Sequence, residues 1–260
     1  MMSQEEKAIN KKKKGEIFEF ISVLIQALFL AAVIRTLFFQ PFSIPSGSMR
    51  PTLLVGDYLF VSKYAYGYSR FSIPFSPPIF SGRIWVSQPK RGDVVVFRLP
   101  SNPDIDYIKR VVGLPGDRIQ IRGSVLYING EAVPRQFMGQ VNDSDVTEVS
   151  RPVDVYRETL SNGVSYDTLD LGFSSQFDET KVFEVPPGHY FMMGDNRDNS
   201  DDSRLDVGYV PEENLIGRAN LIFFSISNGS SAWQFWRWPF DVRWNRLFSF
   251  VATVRYLPFD

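Results

Sequence analysis

The apolar run from Phe20 to Phe39, interrupted by few polar side chains, Gln26 and Arg35 among them, limits this chain more than any other feature. A stretch of about 20 apolar residues suits one helical crossing of a bilayer. Lys7 and Lys11 to Lys14 stand just before it. Basic flanks resist translocation, so the N-terminus is expected in the cytoplasm and everything after Phe39 on the far side. The expected organisation is a basic cytoplasmic tail over residues 1–16, a transmembrane helix over 17–39 and an extracytoplasmic domain over 40–260. Arg35, near the far end of the span, is placed to snorkel to the headgroups. A cleavable leader is the competing reading, since Ser46 and Ser48 supply small residues two apart after a basic and then an apolar region. Those serines lie beyond Phe38, Phe39 and Pro41, farther out than processing sites usually sit, so a retained anchor is expected.

From about Pro41 the pattern changes to short segments rich in β-formers and bounded by Gly, Pro, Asn and Asp, as in Asp57 to Lys63, Gly92 to Leu99 and Leu215 to Ile226. A mainly β, antiparallel domain is expected. Asn129-Gly130 inside the run Val125 to Val133 marks a hairpin, because both residues tolerate the positive φ of a type I′ turn. The polar, weakly periodic region from about 120 to 185 reads as an inserted β-rich subdomain. Tyr64 to Pro89 reads as a long apolar surface loop, and Trp233 to Arg246 carries four of the five Trp. Together with Phe71 to Phe80, that tryptophan segment suits either ordinary packing or docking on a membrane interface, where Trp is favoured.

Elimination narrows the chemistry. Without cysteine there is no thiol catalysis, no thiolate metal site and no disulfide scaffold. The single histidine, His189, cannot build a typical zinc site, and its setting in Pro187-Gly188-His189-Tyr190-Phe191 reads as a turn entering a buried strand. A Ser-His-Asp triad would have to use it. With 28 basic and 29 acidic residues the formal charge is -1, and no basic stripe interleaves with stacking aromatics, so nucleic acid is not an expected partner. The oxygen-rich stretch Asp195 to Asp202 resembles a calcium loop in the alternation of Asp198, Ser200 and Asp202, but Leu205-Asp206 stands where a glycine turn belongs and no Glu closes the loop.

What remains for covalent catalysis is a serine whose base is a lysine. Ser48 lies in Ile44-Pro45-Ser46-Gly47-Ser48-Met49-Arg50-Pro51-Thr52-Leu53, where small residues let a backbone approach and prolines stiffen the turn. Taken alone, the segment is equally a plain loop after a membrane span. Lys109 lies inside the apolar strand pattern of Asp106 to Asp117, with Tyr107, Lys109 and Val111 on one face and Ile108 and Arg110 on the other. To act as a base near pH 7 its amine must lose a proton held at a pKa of about 10.4, which needs a shift of about 3 units. A lysine snorkelling from a strand edge is the alternative.

Four segments in order, Pro45 to Leu53, Arg91-Gly92-Asp93-Val94-Val95-Val96-Phe97, Asp106 to Asp117, and Gly194-Asp195-Asn196-Arg197-Asp198-Asn199-Ser200-Asp201-Asp202-Ser203-Arg204, resemble the motif boxes of bacterial type I signal peptidases. With the membrane segment, the resemblance covers most of the chain outside the insert. It implies that Ser48 is the nucleophile and Lys109 the general base, with the Ser46 hydroxyl and the Ser48 N–H stabilising the oxyanion. It implies that Ser200 hydrogen-bonds and orients the lysine amine, and that Asp202 and Arg204 form a supporting ion pair. Phe42, Ile44, Tyr107 and Ile108 fall where such enzymes line shallow pockets for small residues at the −1 and −3 positions of a signal peptide. The resemblance implies neither cofactor nor metal, a monomer, signal peptides of secreted preproteins and the lipid bilayer as partners, and a single-pass place in a bacterial inner membrane with the catalytic domain periplasmic.

Some relatives cross the membrane twice, whereas one span is credible here. Two other readings compete. A membrane-tethered, non-catalytic peptide-binding β domain would need neither Ser48 nor Lys109. The self-cleaving repressors of the DNA-damage response share Ser/Lys chemistry but carry a DNA-binding helix pair in place of a membrane span.

Overall fold

A computed structural model describes residues 4–142, 152–172, 177–227 and 233–253, with 4–13 and 253 as backbone only. Helix α1 spans Gln4–Leu37. It therefore starts inside the stretch expected as a tail and stops two residues before the expected end at Phe39. Gln, Glu, Lys and Ala before Gly15 are good helix formers, so nothing local halts the helix at the membrane boundary. At the other end Phe39 is claimed by a strand, pairing with Ser62. The side chains of Lys7 and Lys11 to Lys13 lie outside the described residues. Within α1, Lys14–Leu37 forms 24 residues long and apolar enough to cross a membrane, none of them buried against the protein.

The strands that follow are β1 (Phe39–Ser43), β2 (Asp57–Ser62), β3 (Val94–Leu99), β4 (Asn102–Gly113), β5 (Arg118–Arg122), β6 (Val125–Ile128), β7 (Glu131–Ala132), β8 (Arg135–Val141), β9 (Val153–Thr159), β10 (Ser165–Asp170), β11 (Phe183–Glu184), β12 (His189–Met193), β13 (Val210–Pro211), β14 (Leu215–Ser225) and β15 (Ser249–Phe250). The main sheet runs β1-β2-β14-β3-β4-β12-β13, with β15 added beside β14. Every pairing in it is antiparallel.

This sheet is packed on both faces. Val94 and Val96 join Met49, Leu53 and Leu59 on one side, while Val95 and Phe97 join Val111, Tyr190 and Met192 on the other. Double-sided burial explains why β3 reads Val-Val-Val-Phe instead of alternating with polar residues.

The insert is β-rich, as expected, and forms two small sheets, β10-β9-β8 and β11-β5-β6-β7. Its hairpin turns at Asn129 and Gly130, both with positive φ, 54° and 87°. The insert shares its cores with the main sheet: Ile119, Ile121 and Leu126 pack with Phe191 and Met193, and Val153, Val155 and Leu169 pack with Leu54. Tyr64 to Pro89, expected as a surface loop, is pinned at Tyr66 and Phe71, which are buried, and by the Lys63 Nζ donation to the Ser72 carbonyl at 2.5 Å. Phe75, Ile79 and Trp85 of the same loop stay exposed.

Candidate active site

Ser48 sits in a tight turn between β1 and β2, where Arg50 N–H donates to the Gly47 carbonyl and Leu53 N–H to the Met49 carbonyl. Met49 and Leu53 are wholly buried and draw the turn onto the core. The flanking Ser48 is left at the wall of a cleft of about 580 Å³ lined by Pro45 to Ser48, Ile105 to Lys109, Asn199 and Asp201. Lys109 enters from β4, whose register sets it opposite Val95 of β3. Its Nζ donates to Ser48 Oγ at 2.5 Å.

The amine is 4% exposed as a residue, and burial chiefly, opposed by Asp202, Asp201 and Asp195, pulls its pKa down to about 8. An ammonium stripped of water with no carboxylate in direct contact loses much of its hold on the proton. The resulting group is a base at mildly alkaline pH and partly so at neutral pH. The Ser46 hydroxyl, on the exposed lip, lies 3.5 Å from Ser48 Oγ.

Asp202 accepts the Gly194 N–H at 3.0 Å and two guanidinium N–H groups of Arg204, at 2.8 and 2.9 Å. Burial opposes its charge, but Arg204 and the backbone donors outweigh burial and hold its pKa below the usual carboxylate range. The pair does more than brace the loop. Asp202 is the foremost of the carboxylates that favour the charged form of Lys109.

Ser200 departs from expectation. Its hydroxyl is buried without a hydrogen-bond partner, and the Lys109 amine is bonded to Ser48 instead. The hydroxyl nevertheless lies against the site: a Cβ on Gly194 would fall 2.2 Å from Ser200 Oγ and 2.5 Å from the Ser48 carbonyl oxygen. Only glycine allows this loop and the Ser48 turn to approach this closely. Phe42 and Ile44 also depart. Tyr107 and Ile108 line the cleft, whereas Ile44 is 3% exposed in the core beside Met49 and Leu53, and Phe42 packs on the same cluster. Strand pairing decides this, since Ile44 N–H is spent on the Asp57 carbonyl and Phe42 stands opposite Leu59.

Sequence reasoning missed the residues that hold the turn in place. Arg110, pointing away from Lys109 as alternation predicts, makes a two-pronged bond to Asp195 through Nε at 2.8 Å and Nη2 at 2.6 Å. Thr52 donates to the same carboxylate at 2.6 Å. Asn196 reaches the turn twice, its side chain donating to the Gly47 carbonyl and its backbone N–H to the Ser48 carbonyl, each at 3.1 Å. The insert braces this loop from behind, for Leu169 N–H donates to the Asp195 carbonyl and Arg197 N–H to the Leu169 carbonyl. The acidic run is thereby committed: Asp195 to Arg110, Asp198 to the Leu171 N–H and Asp202 to Arg204. No group of three or more possible metal ligands is found among the described residues. His189 is half-buried at the start of β12, its Nδ1 2.9 Å from the Pro187 carbonyl oxygen, and does not line the cleft.

Comparison with known proteins adds an independent line. Residues 17–224 match the family described as signal peptidase, peptidase S26. A signal peptidase I of Rickettsia typhi is 42% identical over 232 residues, covering 86% of this chain and 85% of that protein. Its counterpart in Rickettsia prowazekii is 43% identical over 224 residues, covering 83% of this chain and 82% of that one. A crystal structure of a signal peptidase I from Enterococcus faecalis aligns with a TM-score of 0.31 and 29% identity, covering 51% of this chain and 97% of the other. From the family match over residues 17–224 and the two Rickettsia relatives, the chain belongs to the signal peptidase family, peptidase S26, and is a serine protease.

Proposed function

We propose that this enzyme removes N-terminal signal peptides from exported preproteins, with Ser48 as nucleophile and Lys109 as general base. The observation that carries the reading is the buried Lys109 amine bonded to Ser48 Oγ at 2.5 Å with a pKa of about 8. In its neutral form the amine accepts the hydroxyl proton as Oγ attacks the scissile carbonyl carbon. The oxyanion that forms takes hydrogen bonds from the Ser48 N–H and the Ser46 hydroxyl, donors worth roughly 3 kcal/mol each because they are aimed in advance. The ammonium then returns its proton to the leaving amine. Water, deprotonated by the same lysine, releases the acyl group. Ser200, buried beside the turn with its hydroxyl unbonded, supplies an orienting hydrogen bond to the amine once substrate shifts the pair.

Small residues at −1 and −3 follow from a shallow cleft walled by Tyr107 and Ile108, against which an extended peptide lies as an added strand. The chain spans a bacterial inner membrane once, with the N-terminus cytoplasmic and residues 40–260 periplasmic, and acts as a monomer. The exposed Trp233, Trp236, Phe240 and Phe75 dock the domain on the interface, so that enzyme and anchored substrate meet in two dimensions. A purely binding domain has no use for a deprotonable amine buried on a hydroxyl. The test is to incubate the full chain in detergent with a preprotein and sequence the new N-terminus, beside Ser48→Ala. Cleavage after small residues at −1 and −3, lost in the variant, is expected; undiminished cleavage by Ser48→Ala or by Lys109→Ala overturns the reading.

A further inference from the structure

The cleft carries an acidic side chain that the proposed chemistry does not use. Three charged groups line it, Lys109, Asp106 and Asp201. Lys109 must be neutral when it acts as a base. Asp106 faces Arg98, 3.2 Å away, which offsets its charge. Asp201 is exposed and, among the described residues, has no cation in contact. It is held at the mouth of the cleft because Tyr107 donates its hydroxyl to Asp201 Oδ2 at 3.0 Å, and the ring of that tyrosine lies 5.3 Å from Lys109 Nζ. The carboxylate is thus one phenol ring away from the reacting pair, fixed by a hydrogen bond instead of waving in solvent.

We infer that Asp201 is a specificity-determining residue: its carboxylate disfavours substrates with an acidic side chain beside the scissile bond and favours those with a basic one. The inference rests on Ser48 and Lys109 being the reacting pair. A unit charge on a bound peptide, roughly 7 Å from Asp201 in a water-filled cleft, changes affinity about threefold to fivefold in either direction, so Lys against Glu differs by roughly tenfold. Being exposed, the effect is screened by salt.

The experiment uses the full chain in a non-ionic detergent and a set of matched peptides with one cut site and Ala at −1 and −3, carrying Lys, Gln or Glu at −2 or at +1. The readout is the ratio of kcat/KM for Lys over Glu peptides. It compares two substrates on one enzyme, so any change that Asp201 imposes on Lys109 itself cancels. At low salt the unaltered protein is expected to give roughly tenfold at the position nearest Asp201, falling to about twofold in about 0.5 M salt. Asp201→Asn, which keeps an acceptor for Tyr107, is expected to bring the ratio close to one, and Asp201→Glu to restore it. A ratio near one in the unaltered protein, a ratio that salt does not change, or one that survives in Asp201→Asn overturns the inference. Failure to cut the Gln peptide at all would instead strike at the Ser48 and Lys109 reading beneath it.

Discussion

The buried charges around Ser48 and the exposed aromatics Phe75, Trp233 and Phe240 break opposite rules of folding. In and behind the cleft, groups that are costly to bury are buried: Lys109 at 4% exposure on its wall, Asp195 at 1% and Asp202 at 0% behind it. Among the aromatics, side chains that are costly to leave in water are left there: Phe75 at 102%, Phe240 at 89% and Trp233 at 88%. Each such aromatic forgoes roughly 1.5–3 kcal/mol that burial would contribute. The cleft answers its cost internally, carboxylate to guanidinium and amine to hydroxyl. The exposed aromatics are left in solvent by the domain, and a membrane interface beside the 24-residue apolar helix is the partner proposed for them. One region is answered inside the protein; the other is left to what surrounds it.

That contrast can be broken at several points. The largest effect is expected from Ser48→Ala or Lys109→Ala, each lowering kcat at least about a thousandfold while circular dichroism stays that of a folded domain. Next, Asp195→Ala leaves the buried Arg110 guanidinium without its carboxylate partner, and is expected to cost roughly 3–5 kcal/mol in denaturant unfolding. If it costs nothing, the cleft's buried charges are not holding the turn. A pH series addresses the amine: because burial lowers its pKa to about 8, the active neutral form dominates above that pH and the ammonium below. The acid limb of kcat/KM should therefore fall about tenfold per pH unit below about pH 8. A flat profile down to pH 6 would contradict a lysine base. Ser200→Ala removes a buried hydroxyl that has no partner, so stability should change by less than about 1 kcal/mol while kcat drops; unchanged kcat would leave that hydroxyl without a role. Smallest of all, Phe240→Ser with Trp233→Ser should alter stability by no more than about 0.5 kcal/mol yet weaken binding of the domain to lipid vesicles. A large stability loss would turn these aromatics into core.

The anchor, the β-rich domain, the Asn129-Gly130 hairpin and the pairing of Ser48 with Lys109 were legible in sequence. Each rests on local pattern or on motif boxes that carry their own context. Other features were not legible. The helix start at Gln4 was hidden because a lysine-rich tail and a lysine-rich stretch of helix look alike in sequence. Arg110 was readable as pointing away from Lys109, but its partner Asp195 is 85 positions on, and nothing in either segment names the other. Ile44 and Phe42 were expected in the substrate pocket; Ile44 is buried in the core and Phe42 packs half-buried against it, because whether a strand residue faces a cleft or a core depends on what packs against that face. The insert, with its uninformative composition, turned out to hold the 194–204 loop through Leu169 and Arg197.

By itself the amino-acid sequence determined where the helix apolar enough to cross a membrane lies, that the domain after it is mainly antiparallel β, and which serine and lysine to inspect. Those follow from hydropathy, short-period alternation and turn chemistry, all of which act over a few residues. Only the tertiary structure decided that the Lys109 amine bonds Ser48 and not Ser200, that Asp195 and Asn196 fix the Ser48 turn, and that Asp201 is tethered by Tyr107 at the mouth of the cleft. Hydrogen bonds and desolvation change steeply over fractions of an ångström between residues far apart in the chain, a scale at which no local pattern carries information.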